Sequence, residues 1–120
     1  MTNKQAGRQE PGEVYRRVSV DEANELIQAG DSTVIDVRQE NEWIEGHVKN
    51  AIHICVDDLL SQIDSLPPSG NLLFICAAGV RSGLACEMAA AMEVNPSRLY
   101  NIEQGTPAWI SSNYPTEYGK

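Results

Sequence analysis

Short apolar runs alternate along this chain with stretches in which apolar residues recur every three or four positions, a pattern that predicts strands interleaved with helices. Thr33-Val34-Ile35-Asp36-Val37 and Asn71-Leu72-Leu73-Phe74-Ile75 are β-branched or apolar almost throughout, as strands covered on both faces are. Residues 15–18 read as a shorter strand whose two arginines suit an edge, and 51–56 and 98–102 as two more strands. Ser19-Val20-Asp21-Glu22 is a capping box that opens a helix running to Ala29, with Ala23, Leu26 and Ile27 inward and Gly30 as its stop. A short helix is expected over 39–45, around Trp43 and Ile44 and closed by Gly46. Another, capped by Asp57, is expected over 58–66 with Leu59, Leu60, Ile63 and Leu66 facing inward, until Pro67-Pro68 ends it. In 82–92 the stripe is Leu84, Ala85, Met88, Ala89 and Met92. A last helix starts at Gly105-Thr106-Pro107, with the threonine as cap, the proline in first position, and Trp109 and Ile110 on the core side. The alternation predicts an α/β domain over 14–120 with a parallel sheet covered on both faces. Residues 1–13, polar and carrying Gly7, Pro11 and Gly12, are expected to form a loosely ordered leader.

Charge narrows the range of partners. A net charge of −8 and a pI near 4.6 argue against nucleic acid and against an anionic membrane surface, both of which need a basic face. No apolar run is long enough to span a membrane, and the N-terminal residues lack a signal peptide's apolar core. Cys55, Cys76 and Cys86 show no paired spacing, which favours free thiols in a reducing cytoplasm. His47 and His53 form no metal-ligand spacing with cysteines or carboxylates, so neither a metal nor another cofactor is expected.

The stretch with the clearest chemistry is Cys76-Ala77-Ala78-Gly79-Val80-Arg81-Ser82. It places a cysteine at the carboxyl end of a buried strand, then a small-residue loop, then a helix. In open α/β sheets that is where ligand crevices lie. The N–H groups of Ala77, Ala78, Gly79, Val80, Arg81 and Ser82 are expected to point at the sulfur and favour its thiolate. A lone cysteine ending a core strand is often only a small hydrophobe; Gly79, Arg81 and the immediate helix start weigh against that here. Arg81 has two open readings, as a grip on an anionic donor or as the partner of a carboxylate on a neighbouring loop.

Three blocks together resemble the rhodanese family of sulfurtransferases, in its single-domain form. The first is Asp36-Val37-Arg38, followed by Glu42-Trp43, Gly46-His47-Val48 and Ala51; the second is Cys76 to Ser82; the third is Gly105-Thr106-Pro107-Ala108-Trp109 with Asn113-Tyr114-Pro115 beyond it. Lys49-Asn50 and Gln104 depart from the family pattern at turn positions. The resemblance implies a doubly wound five-stranded parallel sheet and a two-step reaction. Cys76 would take the outer sulfur of a small anionic donor such as thiosulfate and pass it, from a persulfide, to cyanide in vitro or to a thiol or protein in the cell. Asp36 and Arg38 are expected to support the pocket floor, and His47 to make a structural hydrogen bond. Trp43, Trp109, Cys55 and Cys86 are expected to pack. The six residues from Cys76 to Arg81 resemble the sulfur-transferring branch rather than related phosphatases and arsenate reductases with a longer loop. A binding module that keeps the fold without the chemistry is the other alternative.

Overall fold

The computed structural model describes residues 6–120. Its centre is the pair of strands whose residues are apolar on both faces, β2 (Ser32–Asp36) and β5 (Asn71–Ile75), joined in parallel along their whole length. β6 (Leu99–Ile102) lies on the other side of β5, with β1 (Arg16–Val18) beyond it at the edge, and β4 (Ile52–His53) closes the opposite edge beside β2. All four pairings in this five-stranded sheet are parallel. The chain crosses the sheet one way from β1 to β4 and the other way from β4 to β6. Right-handed crossovers therefore put its helices on opposite faces. Side chains alternate accordingly along β5. Leu72 and Phe74 face a core shared with Ala85, Cys86 and Ala89 of α3 (Val80–Ala91), whereas Leu73 and Ile75 face one shared with Val20 and Ala23 of α1 (Val20–Ala29) and Trp109 of α4 (Gly105–Ser111).

α1 begins as its capping box predicts: Ser19 Oγ accepts from Glu22 N–H at 3.1 Å and Glu22 Oε1 accepts from Ser19 N–H at 2.8 Å. Gly30 ends it with φ of 91°. α2 (Glu40–Ile44) forms where expected. Elsewhere the structure departs from the sequence pattern. The strand expected over 51–56 is cut to Ile52–His53, because the chain bends at Cys55 into a 3-10 turn, Val56–Asp58. The helix expected after it is a second 3-10 segment, Leu60–Ser65, interrupted at Gln62, and Asp57 lies inside the first turn rather than capping a helix. Ser61, Asp64 and Ser65 are poor helix formers, and Ser61 Oγ bonds the Asp58 carbonyl at 2.9 Å. Pro67 holds Leu66 extended. Leu59 and Leu66 are buried, but Leu60 points outward.

On α3 the stripe also differs: Leu84 and Met92 are exposed, and the buried side is Ser82, Gly83, Ala85, Cys86 and Ala89. Small residues let this helix lie close on the sheet. A Cβ on Gly83 would come within 3.1 Å of the Tyr15 hydroxyl. Thr106 is not the cap of α4; it sits inside the first turn and bonds the active loop instead. A two-stranded antiparallel sheet of β3 (His47–Val48) and β7 (Thr116–Glu117) was not expected, and Trp109 Nε1 secures it by donating to the Pro115 carbonyl at 2.9 Å. Of the residues expected as a leader, 1–5 lie outside the described residues. Arg8 bridges Arg17 through backbone hydrogen bonds of 3.0 and 2.7 Å, and Glu13 pairs with the Arg17 guanidinium.

Candidate active site

Cys76 follows the last residue of β5, and α3 starts four residues later. The intervening turn needs Gly79 in the left-handed region, φ 92°, pressed so close to Glu103 that a Cβ would meet its carbonyl oxygen at 2.7 Å. This turn folds the chain back over the sulfur. Gly79 N–H donates to Cys76 Sγ at 3.1 Å, Ser82 N–H donates at 3.3 Å, and Ser82 Oγ lies 3.3 Å away. Burial pushes the Cys76 thiol up. Hydrogen bonds from the Ser82 hydroxyl and from the N–H groups of Ser82, Ala78 and Gly79 outweigh it and hold the thiol below its ordinary value. Of the expected loop donors, the structure brings the N–H groups of Gly79 and Ser82 within hydrogen-bond distance of the sulfur, and Ala78 adds a weaker pull. Ala77 lines a neighbouring cleft, and the Val80 side chain points into solvent.

One site residue went unmarked in the sequence. Asn101 lies two positions after Leu99 on β6 and so faces α3. Its Nδ2 donates to the Gly79 carbonyl at 3.0 Å, and its Oδ1 is 2.6 Å from Ser82 Oγ. A carbonyl only accepts, which fixes the amide's orientation and makes the Ser82 hydroxyl the donor to Oδ1. The serine lone pair then faces a neutral Cys76 thiol; the single hydroxyl proton can serve a Cys76 thiolate only by leaving Oδ1. Its only sequence signal is an amide between apolar neighbours, Tyr100 and Ile102. Ser82→Ala should therefore raise the Cys76 pKa and slow its iodoacetamide labelling at neutral pH. An unchanged pH profile of labelling would assign thiolate stabilisation to the backbone alone.

Arg81 is held by a carboxylate, on α2 rather than on a loop. Its Nη1 and Nη2 donate to Glu42 Oε1 and Oε2 at 2.7 and 3.0 Å, a bidentate pair reaching from α3 to α2. Hydrogen bonding to Arg81 brings the Glu42 carboxyl down to about 2, against the push of partial burial. The same bond raises Arg81, to which the nearby Cys76 and Asp36 add smaller pulls. Beneath the loop, buried Asp36 and Arg38 form a second pair, Nη2 to Oδ2 2.8 Å, and Arg38 Nη2 also donates to the Gly46 carbonyl at 2.7 Å. His47 Nδ1 is 2.7 Å from the Trp43 carbonyl, and Trp43 stacks between His47 and His53. Cys86 is buried, its thiol pushed well up by desolvation, and donates to the Tyr100 carbonyl at 3.5 Å. Cys55 is half-buried beside Asp57.

Two clefts flank the loop. One, of about 420 Å³, is lined by Ala77, Pro107 and Ile110 together with Arg38, Glu42 and Glu45. The other, of about 390 Å³, runs past Ala78 and Gly79 and holds Tyr15, Arg17, Glu87 and Glu103. Among the described residues no group of three His, Cys, Asp or Glu side chains is placed to hold a metal ion, and no helix is long and apolar enough to cross a membrane.

A cysteine-bearing loop between the central strand and a helix, backed by the buried Asp36–Arg38 pair and the half-buried Glu42–Arg81 pair, defines a small α/β domain suited to thiolate chemistry. The sequence model of the Rhodanese-like domain matches residues 19–112, so the chain belongs to the rhodanese-like sulfurtransferase family. It is 29% identical over 101 residues to YtwF of Bacillus subtilis (strain 168), covering 83% of this chain and 95% of that protein. It is 25% identical over 103 residues to the thiosulfate sulfurtransferase GlpE of Coxiella burnetii (strain RSA 331 / Henzerling II), covering 86% and 94%. A rhodanese-related protein from Thermoplasma volcanium superposes with a TM-score of 0.75 at 30% identity, over 86% of this chain and 98% of that one. The five-stranded parallel sheet is the fold of that structure.

Proposed function

We propose that the chain is a cytoplasmic sulfurtransferase that carries a sulfane sulfur on Cys76. The observation that supports this most directly is the ring of N–H donors around Sγ, which favours a thiolate without a general base. In the first step the thiolate attacks the outer sulfur of a donor such as thiosulfate, the substrate in GlpE's name. The Sγ–S bond forms, the donor's S–S bond breaks, and sulfite leaves with the bonding electron pair. In the second step cyanide, a thiol or a protein thiolate attacks that outer sulfur and the Cys76 thiolate is regenerated. The loop N–H groups hold the negative charge through both steps. Asp36 and Arg38 act as supports: their ion pair and the bond to Gly46 tie the end of β2 to the segment after α2. No metal or organic cofactor enters this chemistry.

Intact mass after incubation with a large excess of thiosulfate, and again after cyanide, tests the reading. One added sulfur, mapped to Cys76 and removed by cyanide as thiocyanate, is expected. The double variant Cys55→Ala, Cys86→Ala should retain most of that transfer, since burial pushes Cys86 up and neither residue lies in the ring of donors. Sulfur mapped to either of those cysteines, or none taken up from any donor, would overturn the assignment.

A further inference from the structure

Taking up a sulfur and giving it up ask opposite things of Cys76. In the first step its thiolate attacks, and attack is faster the less that thiolate is stabilised. In the second step Sγ is the leaving group, and it leaves faster the more it is stabilised. The Gly79 and Ser82 N–H groups, 3.1 and 3.3 Å from Sγ, are fixed by the turn and serve both steps alike. The Ser82 hydroxyl can change partner. Its oxygen stands 3.3 Å from Sγ and 2.6 Å from Asn101 Oδ1, and it has one proton to give. Asn101 is buried and held from its other end as well, by the Gly79 carbonyl at 3.0 Å.

We propose that Asn101 is a positioning residue that acts through Ser82: by competing for the hydroxyl proton it limits how far Sγ is stabilised, and so favours sulfur uptake over sulfur release. The proposal rests on Cys76 being the sulfur carrier. During uptake the Sγ–S bond forms, the donor's bond to that sulfur breaks, and the hydroxyl can stay on Oδ1 because Sγ is losing its charge. During release the acceptor bonds the outer sulfur, the Sγ–S bond breaks and Sγ takes the electron pair. The hydroxyl then reaches the new charge only by giving up Oδ1. No proton leaves the serine in either step. The charged groups around this corner are paired elsewhere: Arg81 of α3 with Glu42 of α2, Asp36 at the end of β2 with Arg38, and Glu103 after β6 with Arg8 and Arg17. Tyr15, which packs against Gly83, bonds Glu13, and Glu87 of α3 lines the cleft beyond. A change at Asn101 leaves all of them in place.

Asn101→Leu tests this, because it nearly keeps the side chain's size and removes the competitor, while the Gly79 carbonyl still accepts from Gly83 N–H at 3.1 Å. Iodoacetamide labelling, mapped to Cys76 by peptide mass, is followed against pH. The pKa should fall by roughly one pH unit, the size of one hydrogen bond no longer given up. The plateau rate at high pH should fall roughly threefold, since nucleophilicity drops with pKa. Single-turnover uptake from thiosulfate should slow with the plateau, and discharge of the loaded persulfide to cyanide should quicken. In a Ser82→Ala background, Asn101→Leu should move the pKa much less, because no hydroxyl is left to compete for. An Asn101 that only braces the turn predicts the opposite sign: slack N–H bonds and a raised pKa, with or without the serine. If Asn101→Leu does not fold, Asn101→Val, β-branched as a central strand prefers, replaces it with the same expected signs. A pKa raised or unchanged, one lowered as far without Ser82, or discharge no faster than in the unmodified protein overturns the positioning role while the sulfur-carrier reading stands. An unmodified protein that takes up no sulfur overturns the carrier reading and this role with it.

Discussion

Cys76→Ser is expected to stop sulfur transfer, with thiocyanate formation falling on the order of 10⁶-fold or to the assay floor, as loss of a nucleophile does elsewhere, while the domain stays folded. The two halves of this expectation come from different features of one site. Catalysis depends on the thiolate, and a serine hydroxyl in the same place stays protonated at neutral pH. Folding depends on filling a buried position and on giving the Gly79 and Ser82 N–H groups an acceptor, since Cys76 is only 1% exposed. A serine oxygen provides that acceptor at slightly greater distance, so the loss should stay within ~1 kcal/mol, the worth of a weakened hydrogen bond. Thermal unfolding and intact mass on the same preparation check both halves. A variant that still takes up sulfur would remove Cys76 from the chemistry. One that is inactive because it no longer folds would make Cys76 a packing residue first.

What could be read from the residues beforehand follows physical range. β2 and β5 were legible because a strand covered on both faces is apolar or β-branched through its middle, as Thr33 to Ile35 and Leu72 to Ile75 are, and because Gly30 before one and Gly79 after the other mark turns. The cysteine's setting was legible for the same reason: strand end, loop and helix start are contiguous in sequence. Arg81 was not. Its partner Glu42 lies 39 residues away, and nothing local distinguishes a guanidinium held by a carboxylate from one awaiting an anion. Asn101 was missed because its meaning depends on Ser82 and Gly79 sharing its side of the sheet. The stripe of α3 held at Ala85, Met88 and Ala89 and misled at Leu84 and Met92, because periodicity marks large apolar residues as inward. Here the close approach of helix to sheet favours small ones, Ser82, Gly83, Ala85, Cys86 and Ala89, and leaves Leu84 and Met92 in solvent. β3 and β7 are two residues long each, below what any pattern of alternation can show.

Gly105→Ala should cost the domain both stability and sulfur transfer, because among the described glycines Gly105 leaves the least room for a Cβ. Gly105 has φ of 79°, and an ideal Cβ there would lie 2.0 Å from the Ala77 carbonyl oxygen and 2.4 Å from its carbon. Both are backbone atoms of the active loop, so no side chain can swing away to make room. Either α4 retreats or the loop does. Retreat in either direction stretches the Thr106 N–H bond to the Cys76 carbonyl, 2.9 Å, and the Thr106 hydroxyl contact to the same oxygen, 3.3 Å. Backbone strain at positive φ adds ~1 kcal/mol; the forced displacement brings the expected loss to ~3 kcal/mol or more, which lowers Tm by roughly 10 °C in a domain of this size. Gly30→Ala isolates the strain: φ there is 91°, but the added Cβ meets nothing within 4 Å. That variant should lose about 1–3 kcal/mol, because φ 91° with ψ 170° is backbone that only glycine adopts readily, and keep its sulfur transfer. Gly105→Ala should lose both stability and transfer, because the carbonyls it displaces belong to Cys76 and its neighbour. Melting curves and thiocyanate formation for the two variants side by side are the measurement. Equal losses in both would mean that the close approach of α4 to the loop contributes nothing to either.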